Sequence, residues 1–286
     1  MAEIIGIFFA LIAALVWGSG FVPLKLAGKV DDIQYSSFVA VGIFLSTIIT
    51  MPVLNFAIGF DIHGLISGTM WALANILAIV SVRLIGLSRV APIVGSIIIL
   101  STFLWGVLFF NEQLLSTIFA IIGVALLILG IPLVIVAREK KANGMSKGLI
   151  YSVVAGIIFG SYITPLKFSG LQISEYILSM ASGILITTWL IYLLSLRMKK
   201  QKISFNKIIY SLSGGFSWTL GNIASLLAIS SLGLSIGFPL TQLQLLVAVS
   251  WGIFYFKEVS DKHIIIKIIL GAILLISGAA LLAFAK

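Results

Sequence analysis

The 286-residue sequence has no cysteine, two histidines and nine acidic side chains, and charged residues make up only 9% of it. Without cysteine there are no disulfides, thiolate metal ligands or cysteine nucleophiles, and the redox compartment stays open. With His63 and His263 as the only histidines, no metal cluster or nucleophile–base pair can be assembled, so an enzyme is not expected. The Gly-x-x-x-x-Gly-Lys-Ser/Thr loop of ATP-driven pumps is missing as well. No cofactor is implied. The scarcity of charge also excludes a soluble domain, in which about a quarter of residues are charged.

What is present is apolar: 60% hydrophobic residues and a mean hydropathy of +1.23. A spanning helix needs roughly 20 mainly apolar residues. Apolar runs fall at about 4–24, 35–56, 62–83, 90–110, 116–137, 146–167, 174–196, 207–230, 234–256 and 263–284. They are too long, and too free of strict alternation, for the strands of a barrel. Met1-Ala2-Glu3 offers no basic n-region, so the first run reads as a span and not as a cleaved signal. The expected fold class is an all-α membrane protein with ten transmembrane helices embedded in a lipid bilayer.

With ten spans, the connectors alternate between two faces. All of the 18 Lys and Arg except Lys167 and Lys286 fall on the face of the odd-to-even connectors. The positive-inside rule makes that face cytoplasmic and both termini extracytoplasmic, in a plasma (inner) membrane. The net charge of +9 is then a topology determinant, and no nucleic-acid partner is implied.

The chain also resembles itself. Gly18-Ser19-Gly20-Phe21-Val22-Pro23-Leu24-Lys25 aligns with Gly160-Ser161-Tyr162-Ile163-Thr164-Pro165-Leu166-Lys167, and Trp71-Ala72-Leu73-Ala74-Asn75 with Trp218-Thr219-Leu220-Gly221-Asn222. Tyr35 and Gly42 match Tyr176 and Gly183, while Gly86, Pro92 and Glu112 match Gly233, Pro239 and Glu258. Five spans per half force the second half to enter from the opposite face. The expectation is two inverted five-helix repeats, residues 1–138 and 148–286, joined by a cytoplasmic linker at 139–147. Such repeats characterise secondary transporters, although duplicated halves can also persist for packing alone.

Polar residues deep in spans are costly and are functional candidates by default. Asn75 and Asn222 each follow a tryptophan by four residues, so ring and amide share a helix face. A ring offers a flat apolar surface to the C–H face of a sugar, and an amide both donates to and accepts from hydroxyls. The same asparagines could instead bond between helices as packing glue. Gln242 and Gln244 carry amides in span nine, with Gln242 favoured, and Trp17 and Tyr162 are placed to line the same cavity. The expected substrate-binding set is Trp17, Trp71, Asn75, Tyr162, Trp218, Asn222 and Gln242. Pro23, Pro92, Pro165 and Pro239 fall near helix ends and are expected as gating hinges.

Trp105, Trp189 and Trp251 read as lipid-facing or interfacial. Lys25 and Lys167 read as caps of helix C-termini, or as residues at the pathway mouth. Glu112 and Glu258 fall at span ends, on the membrane boundary. With no ionisable residue mid-span, facilitated diffusion, or a coupling ion held by amides, hydroxyls and carbonyls, is easier to write than proton exchange. Gly123 with Gly130, and Gly271 with Gly278, suit close helix packing or a homodimer contact.

Together these residues resemble the drug/metabolite transporter superfamily, and within it the glucose/ribose porters that include bacterial glucose-uptake proteins. The resemblance rests on Val16-Trp17-Gly18-Ser19, the two Trp–Asn segments, Gly86-Leu87-Ser88-Arg89-Val90-Ala91-Pro92, Leu240-Thr241-Gln242 and Glu258. It implies a secondary carrier for a small polar solute, a monosaccharide such as glucose, working by alternating access. The chain departs from the family pattern at Ile97-Ile98-Ile99 and Ala74, where glutamines are common in the family. Export of amino acids or other metabolites is the first alternative, and a non-transporting membrane scaffold or sensor is the second.

Overall fold

The computed structural model describes residues 2–56, 59–110, 114–136, 144–171, 173–196, 204–232, 240–241 and 243–285. Among the described residues the structure is helical, without strands. The longer helices are α1 (Ala2–Gly18), α3 (Asp32–Val53), α4 (Ile62–Ile85), α5 (Leu87–Leu104), α6 (Thr117–Val136), α7 (Met145–Ser161), α9 (Ile173–Leu196), α10 (Phe205–Leu232) and α12 (Lys262–Phe284). Three are short: α2 (Val22–Ala27), α8 (Thr164–Ser169) and α11 (Gln244–Ser250). Seven segments are long and apolar enough to cross a membrane, and two shorter apolar helices, Met145–Ser161 and Gln244–Tyr255, accompany them. This is a multi-pass membrane protein. Helix α10 is outside that set of seven: it is long, but Asn206, Lys207, Asn222 and several serines and glycines interrupt its apolar character.

Capping starts the helices where the chain re-enters. The Asp31 carboxylate accepts from the amides of Ile33 and Gln34, Asp61 from His63, and Asp261 from His263 and Ile264. Two helices differ from expectation. The run at 4–24 is not one helix: it stops at Gly18, turns through Ser19–Phe21 and restarts at Val22. The run at 146–167 likewise stops at Ser161 and restarts at Thr164. Apolarity continues across both breaks, so hydropathy passes over them. Pro23 and Pro165 therefore sit in the first turns of the short helices α2 and α8, where a missing amide donor costs nothing. Helices α5 and α11 each end in a widened π turn, Trp105–Phe109 and Trp251–Tyr255.

Packing depends on small residues that let backbones approach. A Cβ on Gly42 of α3 would strike the Leu212 carbonyl of α10, and one on Gly215 of α10 would strike the Val39 carbonyl of α3. Helices α4 and α9 cross in the same way, Gly68 against the Met180 carbonyl and Gly183 against that of Leu65. Helix α1 packs on α10 and α11, α7 on α4 and α5, and α6 on α12. In this last pair Gly123 meets the carbonyl of Gly278, and Gly130 that of Gly271. Those glycine faces are used on each other within one chain.

The remaining tryptophans are half-buried and hydrogen-bonded. The Trp105 indole donates to the Ser161 hydroxyl at 2.8 Å, Trp251 to Ser19 at 2.9 Å, and Trp189 to the Ser37 carbonyl at 3.2 Å. They fasten helices to one another. An indole N–H left among apolar groups is costly, and a serine at each helix break supplies the acceptor.

Candidate functional site

Four of the site's walls follow from helical spacing. Helix α4 turns Trp71, Asn75 and Ile79 to one side, and α10 turns Gly214, Trp218 and Asn222; each set is spaced by four residues. Helix α5 contributes Ala91, Val94, Gly95 and Ile98, and α11 contributes Gln244, Leu245 and Ala248. The break after α1 supplies Trp17, Gly18, Gly20 and Phe21; the break after α7 supplies Tyr162, beside Phe159. Tyr35 and Val39 of α3 complete the lining. These residues surround a cavity of about 290 Å³, near the lower bound of roughly 300 Å³ for small-molecule sites.

Aromatic side chains dominate its centre. The Trp71 ring meets Trp218 edge-on with centroids 5.1 Å apart, and meets Phe159 at 5.8 Å; Phe159 continues to Tyr162 at 6.5 Å. Asn75 is buried, and its amide donates to the Ser36 hydroxyl at 3.3 Å. The Asn222 amide donates to the Trp218 carbonyl at 2.9 Å, which fixes its side chain along the helix. Among the described lining residues none is Asp, Glu, Lys, Arg or His. The polar groups are neutral amides, phenols and indole N–H groups, able to meet hydroxyls but unable to neutralise an ion.

Six of the expected site residues, Trp17, Trp71, Asn75, Tyr162, Trp218 and Asn222, therefore come together on one cavity. Gln242 and Pro239 lie outside the described residues. Gln244 is a lining residue, and so is Ile98 at the point where the porter family often has glutamine. Tyr35 and Phe159 were not singled out by the sequence. Tyr35 could have been found from its match with Tyr176, and Phe159 from its place one turn before Tyr162. Pro92 lies inside α5, one residue beyond the lining Ala91.

An ion pair sits at the start of α5, outside the cavity lining. Glu258 accepts from the amides of Leu87 and Ser88 at 2.9 and 2.8 Å and from the Ser88 hydroxyl at 2.8 Å, capping α5. Lys25 of α2 pairs with the same carboxylate at 2.7 Å and lies over the Phe256 ring. Gly86 has φ +86°, and a Cβ there would press on the carboxylate. Lys25, in the last turn of α2, is thus an ion-pair partner of Glu258, whose side chain is only 7% exposed. Burial alone would raise this carboxyl. The hydrogen bonds from Lys25, Ser88 and Leu87 and the Lys25 charge outweigh it and hold the group below its ordinary value. Glu112 lies outside the described residues. Among the described residues no group of three His, Cys, Asp or Glu side chains converges to hold a metal ion.

The model of the sugar transport protein family matches residues 8–285. The chain belongs to this family. It is a membrane transporter and not an enzyme. It is 28% identical over 293 residues to a Bacillus anthracis protein provisionally named for sugar uptake, covering 98% of this chain and 99% of that one. It is 28% identical over 294 residues to the glucose uptake protein GlcU of Bacillus subtilis, covering 97% of each. A solved crystal structure at 16% identity aligns with a TM-score of 0.59 over 98% of this chain and 95% of the other, a likeness of fold.

Proposed function

We propose that this protein is a secondary carrier that moves a monosaccharide such as glucose across the plasma (inner) membrane by alternating access. The observation that carries the reading is the cavity lining: aromatic, amide-bearing and without a charged side chain among the described residues. Sugars present C–H faces to aromatic rings and hydroxyls to amides. An amino acid would bring an ammonium and a carboxylate to a lining with no counter-charge among the described residues, so amino-acid export fits it poorly. The names of the Bacillus relatives agree with a sugar. In this reading Asn75, Asn222 and Gln242 bond substrate hydroxyls, Trp71, Trp218 and Trp17 supply ring surface, and Tyr162 closes the wall.

Alternating access requires two halves that exchange conformations. The repeat at 1–138 and 148–286 is supported by helix pairings that swap under it: α1 on α10 with α7 on α4, α3 on α10 with α9 on α4, and α5 on α7 with α11 on α1. The bond from Trp105 to Ser161 and that from Trp251 to Ser19 swap likewise. Ten spans, cytoplasmic basic connectors and extracytoplasmic termini follow from the same reading. Pro23, Pro92, Pro165 and Pro239 serve as hinges in this reading, Pro23 and Pro165 beside the breaks after α1 and α7. Uniport, or coupling to an ion held by neutral groups, suits a lining without carboxylates.

Reconstitution in proteoliposomes with a panel of labelled sugars and amino acids tests this. Saturable sugar flux that falls at least tenfold in Asn222→Ala is expected, a factor corresponding to about 1.4 kcal/mol of lost binding. Amino-acid flux without sugar flux would overturn it. Accumulation unchanged by an imposed proton or sodium gradient is the result expected of a uniporter.

A further inference from the structure

Among the described residues, four buried side-chain polar atoms find no hydrogen-bond partner: Trp17 Nε1, the Tyr35 hydroxyl, Thr47 Oγ1 and the Tyr176 hydroxyl. Two of the four, Trp17 and Tyr35, belong to residues that line the cavity. Tyr35 is only 2% exposed. A phenol buried to that degree without a partner is expensive, and a phenylalanine would fill the same space without that penalty. An indole N–H can only donate, so Trp17 requires an acceptor from somewhere.

Helix α10 places a glycine against each group. A Cβ on Gly214, itself a lining residue, would lie 3.1 Å from the Tyr35 hydroxyl, so the hydroxyl faces a place where α10 has no side chain. A Cβ on Gly221 would overlap the Trp17 indole. The two glycines are seven residues apart, two helical turns, and Trp218 and Asn222 lie beside them on the same stretch of helix.

We propose that the Tyr35 hydroxyl and the Trp17 N–H are donors to an oxygen of the transported molecule, and that Tyr35 sets which hydroxyl pattern is accepted. The inference rests on the sugar-carrier reading and adds to it a residue outside the expected substrate-binding set. The ligand is a neutral polyhydroxylated molecule. It presents an acceptor oxygen to Tyr35 and Trp17 while its C–H face lies toward Trp71 and Trp218. Without ligand the two donors stay unpaired; with ligand they are satisfied, so their burial discriminates bound from empty.

Tyr35→Phe, which deletes one oxygen and keeps the ring, is the test, carried out on the full chain in detergent and in proteoliposomes. The variant is expected to melt at or above the wild-type temperature without sugar, to show a smaller sugar-induced rise in melting temperature, and to transport with KM raised about tenfold. With a panel of deoxy sugars, wild type should discriminate against removal of one particular hydroxyl. Tyr35→Phe should lose that discrimination and keep the others, the signature of a direct pair in a double-mutant cycle. Gly214→Ala, which crowds the hydroxyl, should reproduce the rise in KM. Wild-type sugar transport with an unchanged KM and deoxy profile in Tyr35→Phe overturns the assignment and leaves the carrier reading standing. Absence of saturable sugar flux in the wild type overturns both.

Discussion

Glu258 shows how much one carboxylate organises here. It caps α5 through two backbone amides and a hydroxyl, and it holds Lys25 of α2 against the same helix end. Glu258→Gln keeps the size but loses the charge that balances Lys25 and the helix dipole. A loss of about 2 kcal/mol is expected, since breaking a largely buried pair strands its partner; thermal unfolding in detergent measures it. The sign of the pH effect follows from the lowered carboxyl. Its ordinary value is near 4.5, so the stabilisation is complete above that pH and disappears as pH falls through the lower folded value. Wild type should lose melting temperature in that acid window relative to Glu258→Gln, and parallel curves would contradict the assignment. None of this was legible in the sequence. Lys25 and Glu258 are far apart along the chain, and a glutamate at a span end reads as solvated.

At the scale of elements, the sequence revealed the helices but not their interruptions. The segments Gly18-Ser19-Gly20-Phe21 and Gly160-Ser161-Tyr162-Ile163 remain apolar enough to pass as continuous spans, yet the backbone turns there. What fixes each turn is an indole from another helix, Trp251 at Ser19 and Trp105 at Ser161, a long-range contact that periodicity does not encode. Trp251→Phe should therefore cost about 1 kcal/mol, the net value of one such bond, and should speed backbone amide exchange at Ser19–Phe21 above that of the flanking helix. The glycine crossings give a further expectation. Gly68→Ala and Gly215→Ala occupy matched positions in α4 and α10 and each drives a methyl into a facing carbonyl. Both should destabilise, by about 1–3 kcal/mol as for other overpacked cores, and by similar amounts; thermal melts of the pair check this.

For the whole molecule, most of the candidate site was legible because the repeat marks it twice. The Trp–Asn pairs at 71/75 and 218/222 sit on helices that face one cavity, and spacing by four turns both residues of each pair inward. Tyr35 is visible in the sequence only as the repeat partner of Tyr176, and its buried, unpaired hydroxyl is evident only in the fold. The absence of cysteine makes the orientation directly measurable by single-cysteine labelling. Lys29→Cys and Leu115→Cys lie at exposed positions in connectors assigned to opposite faces. An impermeant maleimide should label Leu115→Cys in intact cells and Lys29→Cys only after permeabilisation, and the reverse pattern would invert the topology.

The contact between Trp71 and Trp218, edge against face at 5.1 Å, bears on how tightly cargo can be held. The site uses part of its ring surface on itself. A sugar that enters trades an indole–indole contact for an indole–sugar contact, and only the difference appears as affinity. Dissociation constants near the millimolar range, about −4 kcal/mol, are the natural outcome.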